Sequence, residues 1–470
     1  MYINEKLEAF KKDINGKRVA IIGFGVSNIP LVKYLIDLNA DITVFDKRTL
    51  DKIDKEKYEE YVLAGVKFSL GDEYLKNLVG YDYIFRSPSM RPDIREVVDE
   101  VERGATLTSE IEMLIELCPS KVIGITGSDG KTTTSTLIYK ILQEEGYNCY
   151  LGGNIGTPLF SKIDEMLPED FVVLELSSFQ LFTLKVSPQI SVVTNISPNH
   201  LDIHKDYDEY INAKKNIFLN QKNTDLLVLN YDNEVTRSFE KDAKGRVRFF
   251  STNDEIQNGV LYSEKDDIIY ICENGDKREV INTNEIKLIG KHNYENCCTA
   301  IAAIKELVSV TSIKNVLTTF NGVEHRNELV RIVNGVTWRN DSIGSSPSRT
   351  IAGLKSFKNK VVLIAGGYDK HLDYTELGKY IVSCVKALVL VGQTSEKIKN
   401  ATIEAMKAAS VSEDELPIFE CNTLEEAVNE AYEVSNDGDS VFFSPASASF
   451  DMFKNFEERG RKFKELVNNL

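Results

Sequence analysis

Residues 121–133 read Lys121-Val-Ile-Gly-Ile-Thr-Gly-Ser-Asp-Gly-Lys-Thr-Thr133. An apolar run of strand character enters a glycine-rich turn, passes through Lys131 and Thr132, and continues into a helical pattern over 132–145. That order suits a nucleoside triphosphate. Glycines let backbone N–H groups approach phosphate oxygens, a lysine neutralises them, and a hydroxyl ligates Mg2+. The spacing departs from GxxxxGK[ST], because only Ser128 and Asp129 separate Gly127 from Gly130, and Gly124 comes one position early. Gly127, Ser128, Asp129, Gly130, Lys131, Thr132 and Thr133 are the candidate phosphate-binding residues. The bland alternative is a glycine-rich turn between a strand and a helix with no ligand.

The same texture extends in both directions. Short β-branched runs at 18–22, 41–45, 81–85, 121–125, 171–175, 190–194, 226–229, 360–364, 387–391 and 440–444 alternate with amphipathic stretches such as 132–145, 294–308 and 424–434. Runs such as VVLEL, VVLIA and ALVLV are apolar nearly throughout, which predicts strands covered on both faces. Alternation of this kind predicts doubly wound α/β domains with parallel sheets. One such set opens at residue 18, a second at 121, and a third after the polar segment 321–327, which sets domains at 1–108, 109–323 and 324–470. A length of 470 residues agrees, at about 150 per domain. Residues 230–290 read differently, with short alternating runs and Asn-Gly turns, and predict a small antiparallel excursion inside the second domain.

Lysine and arginine total 56 against 72 acidic residues, a net charge of −16, so a general nucleic-acid or anionic-membrane surface is not expected. Hydrophobic residues at 42% supply several cores and argue against disorder. No apolar run reaches membrane-spanning length, and residues 1–13 are charged throughout, without the apolar core of a secretory leader. Seven cysteines without a repeating spacing predict no disulfide framework. The adjacent Cys297 and Cys298 are read as small hydrophobes in a buried helix. A cytoplasmic enzyme or binding protein is expected.

Three further stretches carry chemistry. Glu175 ends the run FVVLE, where a carboxylate beside a phosphate loop can hold Mg2+ or serve as a structural acceptor. Asn195-Ile-Ser-Pro-Asn-His-Leu-Asp202 follows the next apolar run, at the strand end where open α/β sheets bind ligands, and His200 is its candidate ligand or base. Gly23-Phe-Gly-Val-Ser27 after the first strand, with Asp46 ending the second, half-matches the dinucleotide fingerprint. Asn28 stands where its third glycine would be. A diphosphate at a helix N-terminus fits this segment whether it belongs to NAD or to a nucleotide sugar.

Taken in order, GFGVSN, RSPSM, TGSDGKTTT, GGNIG, LELSSFQL, NISPNHLD, NAKKNIF, GKHNYEN, GVEHRNE, NDS, AGGYDK and SPASASFDMFKNFEERG resemble the Mur ligase family from about residue 17 to the C-terminus. The last segment points to its D-glutamate-adding branch. The resemblance implies a Rossmann-like N-terminal domain, a central P-loop ATPase-like parallel-sheet domain and a Rossmann-like C-terminal domain. It implies ATP-dependent addition of D-glutamate to UDP-N-acetylmuramoyl-L-alanine, through an acyl phosphate and a tetrahedral intermediate, in a monomer. Lys131, His200, Lys214 and Lys370 are then the catalytic candidates. Thr132, Glu175, His200 and Lys214 would serve two Mg2+ sites. Lys214 looks like the family's carbamylated lysine, although the adjacent Lys215 leaves that register open. His292, Asn293 and Asn296, with Arg326 and Asp341 of the third domain, would contact ATP. Phe24, Val26, Ser27, Asp46, Lys47, Arg48, Ser87 and Pro88 would surround the uridine diphosphate, and Asn154, Ser177 and Gln180 would meet the muramoyl substrate or phosphates. Ser345, Lys370, Ser449, Phe450 and Phe456 fall where the family binds D-glutamate.

Departures accompany the resemblance. Asp129 stands where the family usually has Asn, and Ile343 where it commonly has Lys. Ser89 replaces the usual Gly after Ser-Pro. The competing functions are a sister ligase with another amino acid, an NAD-dependent oxidoreductase suggested by GFGVSN and Asp46, and a non-enzymatic ATP-gated module. Bland readings remain for SPASASF as a small-residue turn, NDS as an Asx turn and Trp338 as core.

Overall fold

The computed structural model describes residues 2–25, 27–200, 203–288, 290–370, 372–412 and 414–470. The chain divides into two compact units, Met1–Phe320 and Asn321–Leu470.

The first unit contains two sheets. Five parallel strands run in the order Lys67–Leu70, Asp41–Asp46, Arg18–Ile22, Tyr83–Arg86, Thr106–Thr108. Nine strands make the second sheet. Lys121–Thr126 lies between Ile190–Val193 and Phe171–Glu175, with Cys149–Gly153 at the near edge and Leu226–Asn230, Arg246–Ser251 and Gly259–Ser263 continuing the parallel array. Ile268–Glu273 and Asp276–Asn282 then add antiparallel. The expected excursion is therefore an extension of the same sheet. The central strands are buried at nearly every position, as their unbroken Val, Ile and Leu content requires. Cys297 and Cys298 are buried in the helix Lys291–Ile304, as expected.

Both sheets share one hydrophobic cluster. Leu7 and Phe10 of the helix Glu5–Ile14, Leu114 of the helix Glu110–Leu117 and Phe160 all belong to it, and the rings of Phe10 and Phe160 meet edge to face at 6.1 Å. This continuity is why two α/β layers expected as separate domains form one compact unit.

The second unit holds one sheet in the order Glu328–Val333, Val336–Asn340, Ser440–Phe443, Val361–Ala365, Val385–Val391, Ile418–Cys421. Its first two strands are an antiparallel hairpin and the rest are parallel. Trp338 is fully buried there. Among the described residues, no helix is long and apolar enough to cross a membrane.

Candidate functional site

The strand Lys121–Thr126 is flanked on both sides by strands that come later in the chain, so the loops after all three open at one end of the sheet. This is the switch point at which open α/β sheets bind ligands. The loop 127–130 leaves the central strand and turns into the helix Lys131–Glu145. Gly130 is the N-cap, left-handed at φ 79°, and no side chain caps the helix. A Cβ at Gly130 would collide with Asn296 Oδ1, so only glycine admits this turn against the helix Lys291–Ile304. The uncapped N–H groups and the helix dipole favour an anion.

Neighbouring segments hold the loop in shape. The Asp129 N–H donates to Asn195 Oδ1 at 2.9 Å, and Thr194 Oγ1 donates to the Asp129 carbonyl at 2.6 Å. Ser128 Oγ is 2.9 Å from both the Ser197 carbonyl and the Tyr210 hydroxyl. Lys131 Nζ folds back onto the carbonyls of Gly127, at 2.9 Å, and Ser128, at 2.8 Å.

Lys214 lies in the last turn of the helix Tyr207–Lys215 and is 2% exposed. Its Nζ donates to the same Gly127 carbonyl at 2.8 Å and to Thr126 Oγ1 at 3.2 Å. Burial, and behind it the charge of Lys131, drives its ammonium well below the usual lysine range, against the attraction of Glu175 and Asp129. Lys215 instead pairs with Asp242 at 2.5 Å. The register left open by the two adjacent lysines thus places Lys214 at the loop.

Glu175 is 2% exposed, at the end of its strand. Oε1 accepts from Asn154 Nδ2 at 2.9 Å, while Oε2 is buried and has no hydrogen-bond partner among the described residues. A carboxylate oxygen stranded in this way suits a cation. Asn154, expected at the substrate, therefore positions Glu175. Ser177 and Gln180 form a capping box on the helix Ser178–Leu181. His200 is exposed, left-handed at φ 56°, with its ring 5.1 Å from that of Phe179. Among the described residues no group of three or more His, Cys, Asp or Glu side chains is arranged to hold a metal. A divalent ion here would need Thr132, Glu175 and an oxygen-bearing form of Lys214. His292 is exposed at the start of its helix, Asn293 follows it, and Asn296 is buried against the loop.

The turn of the first sheet is built on Asp46. Its carboxylate accepts from the N–H groups of Phe24, at 2.7 Å, and Arg48, at 2.8 Å, and from the Arg48 guanidinium at 2.8 and 3.0 Å. Arg48 also donates to the Phe24 carbonyl at 2.7 Å. Asn28 Nδ2 donates to the carbonyls of Ile22 and Gly23, which explains Asn where a third glycine was sought. Asp46 is thus spent on its own turn. The Phe24 ring, expected at the ligand, packs in the core between Tyr61 and Phe68, each at 5.4 Å. Ser27 precedes the helix Asn28–Asp37 without a capping bond, Lys47 is exposed, and Ser87 Oγ lies 2.9 Å from Ser89 Oγ beside Pro88. Val26 lies outside the described residues.

In the second unit Asp341 is buried. It accepts from the Asn327 N–H at 3.0 Å and from Ser444 Oγ at 2.7 Å, and burial pushes its carboxyl up to about 6. Arg326 is exposed nearby in the chain. The Asn340 Oδ1 to Ser342 N–H bond at 3.1 Å makes NDS an Asx turn as well. The Lys370 ammonium lies 5.8 Å from the ring centroid of Phe450, which is 60% exposed. Ser449 is buried and Ser345 half-buried. The Phe456 ring stands edge to face on His325 at 6.2 Å.

Sequence reasoning missed several groups. His204 stacks between Phe179 and Phe182, both at 5.3 Å, with Nε2 2.9 Å from Ser178 Oγ. Tyr210 braces Ser128. Burial pushes the Glu295 carboxyl up to about 7, where it accepts from Asn230 at 3.1 Å. Arg86 is buried and donates to the carbonyls of Ser87, Met90 and Phe179. The available signal was a charged or polar residue at helical spacing from an assigned one, as His204 is from His200.

Residues 125–304 match the Mur ligase middle domain, and residues 325–447 match the Mur ligase glutamate ligase domain. The chain is 53% identical over 468 residues to a protein of Ruminiclostridium cellulolyticum and 52% identical over 468 residues to one of Acetivibrio thermocellus, covering 100% of each chain in both cases. Both are named UDP-N-acetylmuramoylalanine–D-glutamate ligase. A protein of Clostridium botulinum with the same name is 51% identical over 470 residues. Among solved structures, a UDP-N-acetylmuramate–alanine ligase from Thermotoga maritima covers 96% of this chain and 99% of its own, with TM-score 0.54 at 16% identity. MurF from Acinetobacter baumannii covers 83% and 92%, with TM-score 0.56 at 17% identity. These structures share the fold.

Proposed function

The chain belongs to the Mur ligase family, and from that membership we propose that it joins D-glutamate to UDP-N-acetylmuramoyl-L-alanine with ATP, in the synthesis of peptidoglycan precursors. Full-length relatives at 53% and 52% identity carry that name, which favours this amino acid over that of a sister ligase. One structural observation carries the phosphoryl chemistry. Two lysines, Lys131 and Lys214, meet at the Gly127 carbonyl, and the charge of Glu175 acts on Lys214. The dinucleotide reading loses support, because Asp46 is already saturated by Arg48 and the Phe24 N–H.

The terminal carboxylate of the nucleotide substrate attacks the γ-phosphorus of ATP. The bond to the β-phosphate oxygen breaks, and ADP leaves an acyl phosphate. The amine of D-glutamate then adds to the acyl carbon, loses a proton, and expels phosphate with the former carboxylate oxygen. Gly127 to Thr133 cradle the ATP phosphates, with Lys131 as their counter-charge. His292, Asn293 and Asn296 take the base and ribose, joined by Arg326 and Asp341. Thr132, Glu175, His200 and a carbamylated Lys214 would hold two Mg2+ ions, which would neutralise the phosphates and polarise the γ-phosphorus.

Lys214 as an ammonium would repel those ions. Burial and the charge of Lys131 lower its pKa, which favours attack of the amine on CO2 to form a carbamate with release of a proton. A carbamate would turn a cation into an oxygen ligand at a position where the charge of Glu175 is felt.

Val26, Ser27, Lys47, Ser87 and Pro88 receive the uridine diphosphate, while Phe24, Asp46 and Arg48 act on it by holding the turn in shape rather than by free polar atoms of their own. Asn154, Ser177 and Gln180 support the muramoyl end. Ser345, Lys370, Ser449, Phe450 and Phe456 receive D-glutamate, with Lys370 facing a substrate carboxylate. The functional domains are 1–108, 109–323 and 324–470, in a cytoplasmic monomer. Phosphate release from ATP with UDP-N-acetylmuramoyl-L-alanine, Mg2+ and a panel of amino acids tests this reading. Release that requires D-glutamate supports it. Release with another amino acid alone assigns a sister ligase, and ATP binding without release under any condition removes the enzyme.

A further inference from the structure

Arg459, in the helix Phe456–Asn468, is 2% exposed, and among the described residues it has no carboxylate in hydrogen-bond contact. Its guanidinium is spent on neutral oxygens of two loops. Nε donates to Ser342 Oγ at 3.1 Å and Nη2 to the Ser342 carbonyl at 2.8 Å. Nη1 donates to the carbonyls of Ser447, at 3.0 Å, and Ala448, at 2.9 Å. A third loop joins through a shared acceptor, because the Tyr368 N–H also donates to the Ala448 carbonyl at 2.9 Å. Ser342 Oγ passes the contact on by donating to the Phe456 carbonyl at 2.8 Å. One planar group therefore meets the segments next to Ser345, Lys370, Ser449, Phe450 and Phe456. Burying a guanidinium away from a bonded counter-ion costs free energy. Burial pushes its pKa down to about 10, with only the nearby charge of Asp451 opposing. Core packing alone would be met by an apolar side chain. Five donors in a fixed fork suit the alignment of several carbonyls at once.

We infer that Arg459 is a positioning residue that sets the D-glutamate subsite by holding the loops at 342, 367–370 and 447–450 in mutual register. The inference rests on the ligase reading above. The Asp341 carboxylate has its own partners, the Asn327 N–H and Ser444 Oγ, and does not bond Arg459.

The test compares full-length wild type with Arg459→Lys, which keeps the charge and loses the fork, and with Ser342→Ala, which removes one acceptor and tolerates a milder perturbation. KM is measured for each of the three substrates, together with kcat and the thermal midpoint. The expected result is a rise in the D-glutamate KM of about tenfold or more for Arg459→Lys, a smaller rise for Ser342→Ala, and KM values for ATP and the nucleotide sugar within about twofold of wild type. A fall in kcat with the D-glutamate KM unchanged, or an equal rise in all three KM values, would be a merely structural effect and overturns the inference. If Arg459→Lys does not fold, Ser342→Ala decides by the same criterion. Wild type that turns over without D-glutamate removes the ligase reading itself, an outcome distinct from a variant that behaves like wild type.

Discussion

Lys131 Nζ and Lys214 Nζ donate to one oxygen, the backbone carbonyl of Gly127, at 2.9 and 2.8 Å. Two ammonium groups at a single acceptor, one of them buried, repel each other in a low-dielectric setting. Relief comes through Lys214, which gives up its proton more easily than any exposed lysine. An amine so placed is suited to carbamylation, which replaces the cation with an anion. Lys214→Met tests this directly. Turnover falls by about a thousandfold, a loss of roughly 4 kcal/mol of transition-state stabilisation. The thermal midpoint is kept or raised by about 2 °C, because a disfavoured buried amine is replaced by an apolar chain. A Met variant with near wild-type turnover would exclude Lys214 from the chemistry.

Glu175→Gln keeps the Asn154 contact, since the amide oxygen still accepts. It removes the charge on the stranded oxygen. The Mg2+ concentration at half-maximal rate rises about tenfold or more, with little change in folding. An unchanged Mg2+ titration would place the metal elsewhere.

Asp129 holds the loop through its backbone N–H and carbonyl, whereas its side chain contributes a negative charge at the phosphate end. Asp129→Asn preserves both backbone bonds. The ATP KM falls by about fivefold, the factor that roughly 1 kcal/mol of relieved repulsion supplies. A rise in KM would show that the carboxylate itself serves the nucleotide.

Asp341 gives a pH signature. Its folded pKa of about 6 lies above the unfolded carboxylate value of 3.8. Between those values the folded chain keeps a proton that the unfolded chain has released. Its contribution to stability is therefore complete below about pH 4 and is lost as pH rises through about 6. Asp341→Asn can keep both contacts, accepting from the Asn327 N–H and donating to Ser444 Oγ, without this titration. The stability of the variant relative to wild type increases from pH 4 to pH 7 by on the order of 2 kcal/mol, read from denaturant unfolding. A flat difference would mean that Asp341 ionises normally.

The central strands were legible because burial on both faces demands unbroken apolar runs, and Phe171–Glu175 and Arg18–Ile22 lie where the sequence predicts them. Edge strands were not. Lys67–Leu70, Thr106–Thr108, Glu328–Val333 and Ile418–Cys421 each expose part of their length and carry no such run. The phosphate loop could be read because glycine, lysine and hydroxyl requirements are local. Lys214 could be found only by resemblance, since its significance comes from a contact 87 residues away in sequence. Arg86 and Arg459 were illegible for the same reason. A buried arginine that bonds carbonyls leaves no pattern in its own neighbourhood. The single compact unit Met1–Phe320 arises from apolar contacts between helices distant in sequence, such as Phe10 with Phe160.

The most direct test of the ligase account follows the substrate oxygen. UDP-N-acetylmuramoyl-L-alanine carrying heavy oxygen in its alanyl carboxylate is turned over with ATP and D-glutamate, and both products are weighed by mass spectrometry. The account predicts a nucleotide product that has gained one glutamyl residue and kept one of its two heavy carboxylate oxygens, with the other in the released phosphate. Phosphate without label, or a nucleotide sugar of unchanged mass, would contradict it.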